Sequence, residues 1–140
     1  MTREFRFKRI ISGRLEKGQE IVSTLTSFLK ANSIKSGIIN GIGAVSGAKL
    51  GFYEQDTKKY ISYEFNEPLE ILSLKGNVSI KDGEPFPHLH VVLSKKDFTA
   101  IGGHLFEANV FAFEFEIIET EGQAFERGFD ELTGLFLWKT

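Results

Sequence analysis

Apolar and polar residues alternate with period two at the start of the chain and switch to a helical period soon afterwards. Residues 4–8 alternate phenylalanines with charged side chains, as in a β-strand with one buried face. From Gln19 four apolar residues recur at helical spacing on one face: Ile21, Leu25, Phe28 and Leu29. Glu20 lies near the start of this segment and Lys30 near its end, where the helix dipole favours a negative and a positive charge respectively. The pattern predicts one strand and then one helix, near residues 19–32.

The rest of the chain shows the alternation of β-strands. A glycine-rich stretch over 37–55 predicts two strands with bulges or close backbone approaches. Four further strands are predicted from alternating apolar residues, at 58–65, 69–80, 88–94 and 107–120. The stretch from Gln123 onward leaves two alternatives open, a short helical turn or a docking tail. One helix among many strands predicts an α/β (α+β) domain.

The length of 140 residues predicts a single domain over residues 1–140. Two halves of this chain would each be too small to bury a sufficient core. Fourteen phenylalanines are many for a chain of this size, and large aromatic faces commonly fill a core or are shared between subunits. Self-association of the chain is therefore expected.

The charge balance argues against general nucleic-acid binding. Seventeen basic and 19 acidic residues give a formal net charge of −2, whereas such binders carry a clear basic excess. The one basic cluster lies near the N-terminus and consists of Arg3, Arg6, Lys8, Arg9 and Arg14. A local DNA-binding patch is one interpretation, and a solvated strand edge is the more ordinary one. Nucleic acid is not the expected partner.

Cysteine usage and hydropathy indicate the compartment. The chain has no cysteine, which excludes disulfides and thiolate chemistry and suits a reducing cytosol. Any metal site must then be built from histidines and carboxylates. No apolar run approaches bilayer length, and the charged first residues lack the pattern of a signal peptide. A cytoplasmic protein without membrane contact is expected.

Three histidines give the strongest chemical signal in the sequence. His88, His90 and His104 are the only histidines of the chain and fall within 17 residues. Residues two apart in a strand share a face, so His88 and His90 point to one side, while Leu89 and Val91 point to the opposite, apolar side. Two imidazoles therefore converge without strain.

The third histidine is placed by the predicted hairpin. Residues 94–98 are polar and turn-like, and a turn centred near Lys96 puts His104 directly opposite His88. A turn displaced by half a residue would send His104 to the other face, unless a bulge at residues 102–103, a Gly-Gly pair, absorbs the slip. Such a bulge is expected. Cross-strand neighbours lie about 4.5 to 5.5 Å apart at Cβ, which lets three imidazoles meet one ion.

This arrangement predicts a divalent metal held by His88, His90 and His104. Zinc is the first choice, with iron, manganese and nickel as alternatives. Three histidine ligands leave one position open for water or a small-molecule ligand, as in catalytic zinc sites. The alternative interpretation is three surface or satisfied core histidines that bind nothing.

Candidate acid–base residues are harder to find. Glu114 and Glu116 share the polar face of the strand at 107–120 and are the candidates for a catalytic role, although solvent-facing strand residues look the same. Glu107 and Asn109 are candidates for orienting a histidine ligand, with the same ordinary alternative. The sequence alone does not decide whether the protein is an enzyme.

Two other kinds of site lack support. The glycines within 41–47 are spaced like those of a dinucleotide-binding loop, but the residues that follow alternate like a strand instead of opening a helix. No Gly-x-Ser-x-Gly elbow of a serine hydrolase occurs. No cofactor other than the metal is predicted.

The sequence resembles the plants-and-prokaryotes-conserved (PPC) domain family, in its stand-alone prokaryotic form, across almost the full length of the chain. The matching segments are residues 14–20 (RLEKGQE), 36–43 (SGIINGIG), 69–76 (LEILSLKG), 87–91 (PHLHV) and 102–105 (GGHL). The combination of these five segments is specific to that family.

The resemblance implies a mainly antiparallel, partly barrel-like sheet, assembly as a homotrimer, and a metal at His88, His90 and His104. The fold is similar to that of acetolactate decarboxylase, which holds zinc with histidines, so a lyase-like activity is an analogy of fold. Plant members join the domain to an AT-hook and act on chromatin. The Arg-Gly-Arg-Pro sequence of such a hook is missing here.

Three functional hypotheses follow. The first is a homotrimeric metal-binding protein of unassigned activity, for which a metal-dependent enzyme acting on a small oxygen-rich molecule is one interpretation, and the histidine cluster favours it. The second is a DNA-associated module that uses the basic cluster. The third is a structural trimer in which the histidines bind nothing.

Overall fold

The computed structural model describes residues 1–139, in which eight strands and one helix follow one another along the chain. The elements are β1 (Arg6–Leu15), α1 (Ile21–Ala31), β2 (Gly37–Glu54), β3 (Lys59–Phe65), β4 (Leu69–Lys81), β5 (Glu84–Ser94), β6 (Ala100–Glu121), β7 (Glu126–Asp130) and β8 (Leu135–Lys139). One helix among many strands confirms the predicted α+β class. Within these residues no helix is long and apolar enough to span a bilayer.

The strands form one sheet, and part of it closes on itself. Its order is β3-β2-β6-β5-β4-β7-β8, and β1 pairs with β6. A further pairing of β2 with β4 completes a circuit through β2, β6, β5 and β4. All pairings are antiparallel except that of β4 with β7. Because four strands lie outside the circuit, the sheet is partly barrel-like and not a clean barrel.

Helix α1 forms where the sequence predicts it and fills one side of the core. Glu20 caps its first turn by accepting hydrogen bonds from the backbone N–H groups of Val22 and Ser23, and Asn32 caps its end. Three side chains on one face are fully buried, namely Ile21, Leu25 and Leu29. Each contributes about 1.5–3 kcal/mol by leaving water. The helix packs on β5 and β6, the two strands that carry the histidines.

Strand β2 corrects the expectation of two strands over 37–55. It is one strand of 18 residues, and its register shifts between Gly41 and Gly43 on β4. A Cβ on Gly41 would lie 2.5 Å from the ring of Phe113, so glycine lets that ring pack against the backbone. The glycines therefore bend a continuous strand that pairs with both β4 and β6, instead of ending it.

The segment from Gln123 is neither a helical turn nor a docking tail. It forms the hairpin β7–β8, which closes through Asp130, whose carboxylate accepts hydrogen bonds from the N–H and Oγ1 of Thr133, and through Gly134 at a φ of +74°. The ring of Trp138 stacks on Phe125 at 4.3 Å between centroids. The parallel pairing with β4 places β7 on the other side of β4 from β5, the strand of His88 and His90.

Candidate metal centre

The hairpin of β5 and β6 sets the positions of the histidines. His90 pairs with His104, so the expectation that His104 faces His88 is wrong by two residues. The turn is centred on Asp97, whose carboxylate accepts a hydrogen bond from the N–H of Thr99 at 3.0 Å, and not on Lys96. Because a shift of two residues preserves the face, His104 still points to the same side as the other two histidines.

The expected bulge at Gly102 and Gly103 is also absent. Pairing of β5 with β6 runs without a register shift from Ser94 to His90. The glycines serve close backbone approach instead, since a Cβ on Gly103 would lie 2.6 Å from the carbonyl oxygen of Gly51 on β2. Close packing of β2 against β6 therefore fixes the backbone next to His104.

The three imidazoles converge. The ring centroids of His88, His90 and His104 lie 5.0 to 5.4 Å apart, and one ligand atom from each lies within 4.8 Å of the others. The Nε2 atoms of His88 and His90 are 3.2 Å apart. Tetrahedral ligands about 2.05 Å from zinc lie about 3.3 Å from each other, close to that separation. The three side chains thus form a preformed set of nitrogen donors.

Burial keeps two of these imidazoles neutral. The pKa of His88 is lowered to about 4, mainly by burial and further by the charge of Arg127. The pKa of His104 is also lowered to about 4, first by burial and then by His90 and Arg127. Neutral imidazoles have a free lone pair at pH 7, which a metal ligand requires.

His104 also has a nitrogen without a partner. Its Nδ1 is buried and makes no hydrogen bond to any residue among 1–139. A buried polar atom in this state costs free energy that a bound partner recovers. A metal ion beside the ring is one such partner, so the residues present fit a metal.

Arg127 on β7 is a site residue that the sequence analysis missed. Its guanidinium donates to Ser79 Oγ at 2.8 Å, to Asn77 Oδ1 at 3.0 Å and to the carbonyl oxygen of Phe136 at 3.0 Å. It also lies 3.4 Å from Nδ1 of His88, which is too long for a strong hydrogen bond. No local motif marks this arginine, because only the parallel pairing of β4 with β7 brings it to the histidines.

Aromatic side chains form another wall of the site. The ring of Tyr60 on β3 lies 5.3 Å from that of His104, and the ring of Phe106 lies 4.8 Å from it. Burial raises the pKa of Tyr60, so its hydroxyl stays protonated near neutral pH. Tyr60 is out of phase with the alternating Ile61, Tyr63 and Phe65 of its strand, and the sequence does not otherwise mark it as a site residue.

The candidate acid–base residues lie elsewhere. Glu116 pairs with Asn40, Asn40 with Lys75, and Lys75 with His90, so strands β2 and β4 lie between Glu116 and His90 along these pairings. Glu114 lies two residues before Glu116 in β6, and both glutamates line a separate surface cavity of about 860 Å³. Neither glutamate lines the cavity beside the histidines, so their catalytic role stays a prediction.

The proposed orienting residues, Glu107 and Asn109, pair with Lys49 and Gly47 on β2. Neither hydrogen-bonds a histidine in the part of the chain that the structure describes. Asn77, which pairs with His88 across β4 and β5, is closer to the position of an orienting residue. The pairing of β4 with β5 brings Asn77 next to His88. Because the two residues lie on different strands, the spacing of residues along one strand does not predict this contact.

The basic cluster is mostly engaged within the fold. Lys8 and Arg9 bind the buried carboxylate of Glu119 at 2.8 and 2.5 Å. Arg14 pairs with Glu16, and Arg3 donates to the backbone carbonyl groups of residues 123 and 124. Most of these cations are therefore committed to partners in the same chain.

Comparison with known proteins assigns the fold. The family model of the Plants and Prokaryotes Conserved (PCC) domain matches residues 2–122. A metal-containing protein from Archaeoglobus fulgidus is 46% identical, with a TM-score of 0.96 over 100% of this chain and 99% of that one. A PPC protein from Pyrococcus horikoshii is 37% identical, with a TM-score of 0.95 over 100% and 97%.

A third solved structure has a different description. It is a protein of Bacteroides thetaiotaomicron, provisionally described as DNA-binding, which is 32% identical with a TM-score of 0.87 over 96% of each chain. No curated protein matches the sequence. The solved structures thus agree on the fold, and their descriptions point to two different functions.

Proposed function

Since the chain belongs to the Plants and Prokaryotes Conserved domain family, we propose that it binds one divalent metal ion through His88, His90 and His104. The observation that carries the proposal is the convergence of three imidazoles with ligand atoms within 4.8 Å of one another. The metal-containing description of the Archaeoglobus fulgidus protein, 46% identical, supports it.

Zinc is the proposed ion. Three imidazole nitrogen donors suit zinc, and iron, manganese or nickel would be accepted by the same donors with other coordination numbers. A metal with three histidine ligands keeps a position for an outside ligand and polarises an oxygen bound there. The protein's own contribution is to hold the donors on two paired strands and to place Tyr60 and Arg127 beside them.

The exposure of the ligands makes the proposal testable without unfolding the protein. His90 is exposed, while His88 and His104 are partly buried. His90→Ala therefore removes one donor at little cost in packing. Val92→Ala, an exposed position two residues farther on the same face of β5, is the matched control.

The test is elemental analysis of protein purified without added metal. We expect about one equivalent of metal per chain in the wild type and in Val92→Ala, and a large loss in His90→Ala. Equal and negligible metal in all three proteins contradicts the proposal. The identity of the element decides between zinc and the alternatives.

A homotrimer in the cytoplasm is part of the same proposal. Large apolar side chains remain exposed on several strands, among them Ile10, Ile38, Ile42, Leu72 and Phe111. Exposed apolar side chains in such number are typical of surfaces that associate. Sedimentation equilibrium is expected to give three times the mass of one chain, and a single-chain mass at micromolar concentration contradicts it.

DNA binding is the second candidate function, favoured by the description of the Bacteroides thetaiotaomicron protein. The ion pairs of Lys8 and Arg9 with Glu119 oppose it, because phosphates would have to compete with a buried carboxylate. A salt titration of binding to duplex DNA tests it. Affinity at low salt that falls steeply as salt rises supports DNA binding, and no affinity at low salt removes it.

A further inference from the structure

A second cavity lies directly beside the histidines and has a marked charge pattern. It measures about 290 Å³ and lies among β2, β3, β4, β5, β6 and the β7–β8 hairpin. His88 and His104 form one wall, and Lys58, Lys81 and Arg127 contribute three positive charges. No carboxylate occurs among its lining residues. The cavity is therefore positive and adjoins the proposed metal.

None of the three cations forms a salt bridge with a carboxylate among residues 1–139, whereas Lys8 and Arg9 pair with Glu119. Lys58 donates to the backbone carbonyl of Glu131 at 2.9 Å. Lys81 lies 4.5 Å from the centre of the Phe136 ring. These contacts position the ammonium groups beside the cavity without a direct ion pair.

Arg127 is the most constrained of the three. Its hydrogen bonds to Ser79, Asn77 and the carbonyl of Phe136 fix the plane of the guanidinium, and all three acceptors are neutral. The side chain is partly buried, so its charge is partly removed from water. A partly buried positive charge without a counter-charge is stabilised by a bound anion.

The lining also indicates the kind of anion. Phe86, Leu135, Phe136 and Leu137 contribute apolar surface next to the cations. Inorganic phosphate has no apolar part to use such a surface, whereas a small carboxylic acid has one. The volume lies at the lower limit of ordinary ligand pockets, about 300 Å³, so the cavity suits a small ligand.

We propose that this cavity binds a small organic carboxylate, whose charged group lies against Arg127 with support from Lys58 and Lys81, and whose other end faces the three histidines. This proposal rests on the proposed function, because it names the class of substrate for the same metal centre. The binding contacts themselves come from the chain and do not need the metal.

The test uses malonate as the probe and calorimetry as the readout, on untreated and on chelator-treated protein. We expect malonate to bind both preparations, more weakly at high salt. Arg127→Gln should weaken malonate at least tenfold. Since this arginine also holds β7, Lys58→Gln is the second variant, at an exposed position, with an expected loss of about threefold.

Lys59→Gln is the matched control, because it removes the same charge from the next residue of the chain, which does not line the cavity. It should bind malonate like the wild type. Equal losses in Lys58→Gln and Lys59→Gln, or no malonate binding in either preparation, overturn the proposal. Tighter binding of inorganic phosphate than of malonate overturns the assignment to carboxylates.

The outcomes separate this proposal from the metal proposal. If malonate binds chelator-treated protein and Lys58→Gln weakens that binding, the cavity proposal is supported even when elemental analysis finds no metal. Metal in the untreated protein without malonate binding in either preparation supports the metal centre and contradicts the cavity assignment.

Discussion

Glu119 should contribute strongly to the free energy of unfolding, although it is not one of the proposed metal ligands. Its side chain is 4% exposed and accepts hydrogen bonds from Lys8 at 2.8 Å and Arg9 at 2.5 Å, whose own side chains are about half exposed. Glu119→Gln removes the negative charge and leaves one acceptor oxygen for two cations. A hydrogen bond to a charged group is worth about 1.5–3 kcal/mol, so we expect a loss of about 2 kcal/mol.

The matched control is Glu16→Gln. Glu16 pairs with Arg14 at 3.0 Å, but the two side chains are 69% and 72% exposed. Exposed pairs contribute about 0–1 kcal/mol, so this variant should differ from the wild type by less than about 0.5 kcal/mol. Urea denaturation at pH 7 measures both. A cost for Glu119→Gln no greater than that for Glu16→Gln contradicts the structural role of the cluster.

The pH dependence gives a second check of the same residue. Burial alone would raise the pKa of Glu119, but the hydrogen bonds and charges of Lys8 and Arg9 outweigh it and lower the pKa. The stabilisation is therefore present above the unfolded pKa of about 4.3, and it is lost as pH falls through the lower folded pKa. The difference between wild type and Glu119→Gln should shrink below that range, and a difference independent of pH refutes this explanation.

Three further predictions concern packing and metal. Leu25→Ala should cost about 2–5 kcal/mol in urea denaturation, because this fully buried leucine joins α1 to the core; a cost under about 1 kcal/mol contradicts the packing. Gly103→Ala should cost about 1–3 kcal/mol and reduce bound metal, because its Cβ would meet the Gly51 carbonyl oxygen at 2.6 Å; unchanged stability and metal content contradict this. Chelation should lower the unfolding temperature of the wild type but not of His104→Ala, and equal shifts contradict the metal site.

The periodic parts of the fold were predictable from the sequence. The helix follows from the spacing of Ile21, Leu25 and Leu29, and the shared face of His88 and His90 follows from the period of a strand. Both depend on local geometry, which residues close in the chain determine.

The pairings between distant segments were less predictable. The predicted turn centre is off by one residue, because the polar run 94–98 predicts a turn without marking its centre, and the register differs by two. The side chain of Asp97, which accepts hydrogen bonds from the N–H and Oγ1 of Thr99, is the feature that selects the turn. The face of His104 was nevertheless correct because the error was an even number of residues.

The sequence of the C-terminal hairpin contains a turn signal. Asp130, Thr133 and Gly134 form a turn sequence between two alternating segments, which is typical of a hairpin. Its docking beside β4 depends on long-range packing, which local patterns do not encode. The positions of Arg127 and the positive cavity follow from this docking, so that half of the candidate site could not be predicted.

X-ray absorption at the metal edge of the untreated protein tests the central claim most directly, because it counts the ligands of the bound ion. Three imidazole nitrogens about 2.0–2.1 Å from the ion are predicted for zinc, with one or two oxygen ligands completing the shell. The same spectrum of His90→Ala should lose one imidazole or vanish with the metal. A spectrum without imidazole scattering, or one unchanged in His90→Ala, contradicts a centre built by His88, His90 and His104.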